Sequence, residues 1–211
     1  MNHRITKKAL KALVDHAGDS IRAPISCIFA SLDGSTLVAT DGLALLLRHD
    51  PGAGEGGMRP ADAEREGRTL DLDACKRAIK LCSARGRMEI NAADAVITVF
   101  EPHDASSVEI DASRHGHDPG SWNADLDGFP PYQQVIPSRD RGVSAPESLL
   151  LPPAIMARML GALMPKHTPH TPVCLSFGAD RLDPVRVDVA ADSAGIVDGC
   201  AWIGVLMPIN G

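Results

Sequence analysis

One unit recurs three times along this chain, a short strand, an amphipathic helix and then strands, and that repetition restricts the fold more than any other feature. The first helix is read over residues 5–17, where Leu10, Leu13, Val14 and Ala17 share one face and Lys7, Lys8, Lys11 and Asp15 the other. Gly18 is placed to stop it. Strands are predicted at 25–31 and 36–40 around an Asp33-Gly34 turn, with a third apolar run at 43–47. In the second copy the helix spans 72–82, with Cys75, Ala78, Ile79 and Cys82 inward and Lys76, Arg77 and Lys80 outward. Its strands are predicted at 88–91, 95–100 and 107–112. The third copy opens with a strand at 149–151, and its helix begins at Pro152-Pro153, prolines being suited to a first turn. Ile155, Met156, Met159, Leu160 and Leu163 supply the apolar stripe, and strands follow at 173–177, 185–190 and 200–207.

Between the first two copies, residues 50–67 are rich in Gly, Pro and charge without periodicity and read as an exposed connector. A long polar stretch, from Ser113 to Gly128, precedes the segment Phe129–Pro137. The chain has 211 residues, enough to bury a real core. Aromatic residues make up only 3%, which argues against the stacking platforms of single-strand binders. A net charge of −6 lowers the expectation of general nucleic-acid binding, although the distribution of charge matters more than its sum. Five cysteines without a CxxC pair point to reduced thiols rather than a disulfide framework or a zinc ribbon. The charged start MNHRITKK does not read as a signal peptide, and no apolar run reaches bilayer length. The expectation is a cytoplasmic protein with no membrane association.

Three local signatures carry a family resemblance. Val38-Ala39-Thr40-Asp41-Gly42, with Leu45 after it, resembles a V-A-T-D-G-H-R-L stretch. Phe129-Pro130-Pro131-Tyr132-Gln133-Gln134-Val135-Ile136-Pro137 resembles an F-P-D-Y-R-R-V-L-P linker. Val205-Leu206-Met207-Pro208-Ile209 resembles a V-V-M-P-M ending. All three belong to the bacterial DNA polymerase III beta subunit family, the sliding clamps that serve as processivity subunits of the replicative polymerase. The resemblance implies an α+β, DNA-clamp-like fold, repeated strand–helix–strands units with helices on one face of antiparallel sheets. It divides the chain into 1–140, a clamp-like middle domain holding copies 1–50 and 68–112 plus the linker, and 141–211, the second half of a final domain. The family's first domain and half of its last have no counterpart in this division.

Two sites follow from that likeness. Lys7, Lys8, Lys11, Lys76, Arg77 and Lys80 concentrate positive charge on helix exteriors, with Arg85 and Arg87 following the second helix, Arg158 on the third and Lys166 after it. Charge of this kind attracts duplex phosphates without sequence preference; it is equally the ordinary solvated face of a helix. In the clamp family these helices line the hole around duplex DNA. The second site is the family's hydrophobic groove for short linear motifs of replication and repair proteins. Matched residue by residue, its wall comprises Thr40, Gly42, Leu45, Pro130, Val135, Val205 and Met207. Gly42 permits close backbone approach, and Met207 offers an adaptable apolar contact. The blander alternative is that Val205 and Met207 end a core strand and Pro130 shapes a linker. The chain departs from the family inside this groove: Leu43-Ala44 replaces His-Arg, and Gln133-Gln134 replaces an Arg pair.

Catalytic motifs are absent from the sequence: there is no GxSxG, P-loop, GxGxxG or HExxH. His115-Gly116-His117-Asp118 and His167-Thr168-Pro169-His170 have spacings a metal could use, but no third ligand follows at a suggestive distance. The reading is therefore a non-catalytic, clamp-like replication accessory protein without cofactor or metal. Its alternative is a clamp-derived adaptor or decoy that does not encircle DNA. A third copy without a mate leaves a small sheet with an open edge, so a homodimer or higher homo-oligomer is expected.

Overall fold

The computed structural model of the chain describes residues 2–18, 25–50, 67–101, 106–113, 129–137, 150–163, 173–177, 183–189 and 200–208. The first unit runs β1 (Asn2–Thr6), α1 (Lys7–His16), β2 (Cys27–Ser31), β3 (Thr36–Thr40) and β4 (Ala44–His49). The second repeats that order as β5 (Gly67–Asp71), α2 (Leu72–Leu81), β6 (Arg87–Asn91), β7 (Val96–Phe100) and β8 (Ser107–Asp111). The third comprises α3 (Pro153–Leu163), β9 (Val173–Ser176), β10 (Val185–Val189) and β11 (Ala201–Leu206).

Both complete units open with a strand that leads straight into the helix, a strand missed in the first unit by the helix read over 5–17. Asn2–Thr6 is short and polar, and only His3 and Ile5 on alternate positions are buried, so nothing in its composition marks it as a strand. The strand ends where its last side chain caps the helix. Thr6 Oγ1 accepts from Ala9 N at 3.2 Å, and Asp71 Oδ1 accepts from Ala74 N at 2.8 Å. Asp71→Ala is expected to cost about 1 kcal/mol and to lower the melting temperature by roughly 2–4 °C, measurable by thermal denaturation.

All strand pairs are antiparallel, and each complete unit lends its opening strand to the other's sheet. One sheet has the order β1-β6-β7-β8; the other has β5-β2-β3-β4-β11-β10-β9. The third unit thus extends the first unit's sheet, β11 pairing with β4 from Ala201↔His49 to Leu206↔Ala44. The helices lie on one face, where Leu10, Leu13, Cys75, Ala78, Met159 and Leu163 pack with inward residues of both sheets in one core. Gly204 on β11 lets α3 approach: a Cβ there would collide with Met159 Sδ.

Strand composition reports how many faces are covered. In β6 and β7 burial alternates, whereas every residue of β2, β3 and β4 is buried. The outer face of those three strands is covered by the segment Phe129–Pro137, which makes one turn of 3-10 helix at Tyr132–Val135. Phe129 and Tyr132 stack on Phe29, with ring centroids 5.6 and 5.5 Å apart.

The strand expected at 149–151 is corrected over the residues described: Leu150 and Leu151 are in no strand, although they precede α3 as β1 precedes α1. A single extended segment has no ladder to join when the unit that would receive it is missing. The connector 51–66, the stretch 114–128 and both histidine pairs lie outside the described residues. Among the described residues no helix is long and apolar enough to cross a membrane, and no group of three His, Cys, Asp or Glu is placed to hold a metal ion.

Candidate functional site

The β3–β4 turn shows why Thr, Asp and Gly follow one another in the Val38–Gly42 signature. Gly42 has φ 87°, a left-handed conformation that glycine adopts without strain. Asp41 Oδ1 accepts from Leu43 N at 2.9 Å and Ala44 N at 2.8 Å, so one carboxylate satisfies the turn's free amides. Thr40 Oγ1 accepts from Gly42 N at 3.1 Å and donates to Ala44 O at 2.7 Å. The other Asp41 oxygen holds Arg158 of α3, tying the third unit to this turn. Partial burial pushes the Asp41 carboxyl up, but the Arg158 guanidinium and the two amides outweigh it and hold it below its ordinary value. Arg158, read from the sequence as an outward cation, is half-buried and committed to this pair.

Next to the turn, Leu45 on β4 stands directly opposite both Thr40 on β3 and Val205 on β11. Leu45 and Val205 belong to the outer-face cluster with Phe29, Val38, Leu47, Phe129, Tyr132 and Ile203, and Val135 packs against it. Met207 continues β11 past the turn, its amide donating to Leu43 O at 2.9 Å, and its side chain is half-buried. Pro130 is half-buried at the start of the covering segment. The structure therefore gathers Thr40, Gly42, Leu45, Val135, Val205 and Met207 along one seam between the first and third units. Leu45 and Val205 are almost wholly buried, forming floor rather than rim, while Gly42, Met207 and the 44% exposed Leu43 are reachable from solvent.

Arg186 was overlooked in the sequence. It lies opposite Val205 on β10, grips Asp188 through both carboxylate oxygens at 2.7 and 3.1 Å, and donates to Pro137 O at 3.3 Å. That last bond fastens the end of the covering segment to the third unit. The spacing Arg-x-Asp on one strand was the available signal, since alternate residues share a face.

The helix cations divide into two groups. Lys7 is half-buried and donates to Cys82 O at 2.7 Å, capping the carboxyl end of α2. Lys11 pairs with Asp15 at 2.6 Å and Lys76 with Asp73 at 3.0 Å. Lys8, Arg77, Lys80 and Arg85 are exposed and have no side-chain partner among the described residues. The Lys7–Cys82 bond brings the start of α1 to the end of α2, so Lys8, Lys80 and Arg85 belong to one end of the helix pair. Arg87 lies over the Phe100 ring, 4.8 Å from its centroid. Lys166 is outside the described residues.

No protein-family model matches the sequence, and no curated protein does. Solved structures match along the whole chain. The DNA polymerase III beta subunit of Thermotoga maritima is 13% identical with a TM-score of 0.60, and 66% of its length is covered. The Bartonella birtlesii sliding clamp bound to griselimycin is 18% identical with a TM-score of 0.61 and 66% covered. The Helicobacter pylori beta clamp in complex with carprofen is 10% identical with a TM-score of 0.62 and 67% covered. Each comparison covers 100% of this chain, which spans about two thirds of the length of those clamps. The chain has the α+β fold of the bacterial sliding clamp.

Proposed function

We propose that this chain, with its sliding-clamp fold, is a non-catalytic, cytoplasmic replication accessory protein that contacts duplex DNA through α1 and α2 and receives partner peptides at the seam. The observation that carries the reading is the junction of β4 with β11. There the buried Leu45 and Val205 form the floor, and Gly42, Leu43 and Met207 form an apolar strip that solvent reaches. An extended peptide binds such a strip through apolar anchors, while the turn limits its direction of approach. Leu43-Ala44 and Gln133-Gln134 stand where the family has cationic and hydrogen-bonding groups, so the motif accepted here is a more apolar one.

Met207→Asp tests the seam because its side chain is half-buried and reachable. The substitution is expected to weaken binding of short peptides with paired apolar anchors at least tenfold, measured by fluorescence anisotropy, and to leave duplex binding unchanged. Equal peptide affinity in the two proteins would remove the seam from the proposal. A second reading, an adaptor or decoy that does not encircle DNA, is favoured by one observation. Three of the seven candidate cations are engaged within the chain, which leaves fewer for phosphate. Duplex binding that is absent even at low salt would select it.

A further inference from the structure

The first two units show how this fold completes itself. The opening strand of each joins the other's sheet, β1 on the outer edge of β6 and β5 on that of β2, while α1 packs against α2. The third unit has the same parts and none of these contacts among the described residues. Its sheet ends at β9, the counterpart of β2 and β6, and Leu150-Leu151 before α3 joins no sheet. Leu150 is 54% exposed and Leu175 on β9 is 38% exposed. Apart from Arg158, held by Asp41, α3 carries no charge, and its exposed positions are Pro153, Ala154, Ala157 and Gly161. On α1 and α2 every exposed position except Leu81 is charged: Lys8, Lys11, Asp15, Asp73, Lys76, Arg77 and Lys80. A helix without a polar face is a helix that packs on more than one side.

We infer that a second copy of this chain covers that face about a two-fold axis. Each third unit places its Leu150–Pro152 segment on the edge of its partner's β9 and its α3 against the partner's α3. The linker between the covering segment and α3 is too short to supply the missing unit there. Residues 138–149 link the covering segment to α3, whereas one complete unit runs from Asn2 to His49. A two-fold contact is self-complementary, so two identical half-domains satisfy each other as the first and second units do. Charge selects this edge over the three others, β1, β5 and β8, which carry Arg4, Arg68 with Asp71, and Glu109 with Asp111. A two-fold pairing of β8 would oppose its carboxylates to each other, while Val173-Cys174-Leu175-Ser176 carries no charge. Six units then make three complete domains. The inference stands apart from the proposed function, requiring neither DNA nor peptide.

Sedimentation equilibrium of the full chain at micromolar concentration is expected to give twice the 22.3 kDa chain mass. Leu150→Asp with Leu175→Asp is expected to give the monomer, and Leu81→Asp, an exposed leucine on α2, to leave the dimer intact. A monomeric wild type, a dimer that survives the double substitution, or dissociation by Leu81→Asp alone would each overturn the inference. Cys174, the exposed cysteine on β9, supplies a readout independent of the variants' folding. Its alkylation in the wild type is expected to slow as concentration rises through the association range, and an unchanged rate would overturn the inference.

Discussion

Reversing the charge at Lys8, Arg77, Lys80 and Arg85 together is expected to abolish binding to duplex DNA at moderate salt while leaving the fold intact. These four cations have no internal partner to lose among the described residues, so their removal uncovers no buried group. Each phosphate contact releases counterions, and the logarithm of affinity falls by about 0.9 per contact for each decade of salt. Four contacts therefore predict roughly a 150-fold loss of wild-type affinity between about 50 and 200 mM salt. Anisotropy of a labelled duplex across that range should show the slope in the wild type and none in the variant. Identical salt dependence would remove DNA contact from the proposed function. Lys7 makes a poor probe: without it the Cys82 carbonyl at the end of α2 loses its donor, and any effect on DNA would be mixed with lost stability.

Acid should destabilise the protein well above the range in which carboxylates titrate. His3 is buried on β1, and a nitrogen of its ring lies 2.8 Å from Ser31 O, an acceptor that takes Nε2 as donor; Nδ1 has no partner among the described residues. Burial lowers its pKa to about 4 against the bond to Ser31, and the nearby Arg48 adds to the lowering. His16 and His49 are shifted the same way, burial being the first cause in each. The folded pKa lies below the unfolded one, so between pH 6.5 and about 4 the unfolded chain binds more protons. Stability is complete above that window and falls as pH drops through it, by roughly 3 kcal/mol for His3 alone. Urea unfolding at steps from neutral pH to the acid end should show the decline, and His3→Gln should flatten it. A profile level across the window would refute the assignment.

The amphipathic helices were legible because burial of one face imposes a 3.6-residue period regardless of what lies opposite. The observed α1, α2 and α3 fall within or beside the predicted spans. The strands of β2, β3 and β4 were legible as apolar runs, but why both their faces are buried was not. The cover comes from Phe129 and Tyr132, about a hundred residues away, and no local pattern records which distant aromatic pair will settle on Phe29. The turn at Thr40–Leu43 could be read from its own residues, since its hydrogen bonds close within five positions. The bond from Asp41 to Arg158 spans 117 positions and could not.

The sequence by itself determined the repeating unit, the helix faces, the turn chemistry and the family likeness, all products of interactions between residues a few positions apart. Only the tertiary structure decided three matters. It exchanged the opening strands between units, joined β11 to β4, and divided the candidate cations into those held internally and those without a partner among the described residues. The reason is physical. Strand pairing and charge pairing are completed by whichever partner the fold delivers, and the energy of each depends on burial and distance that a local pattern does not contain.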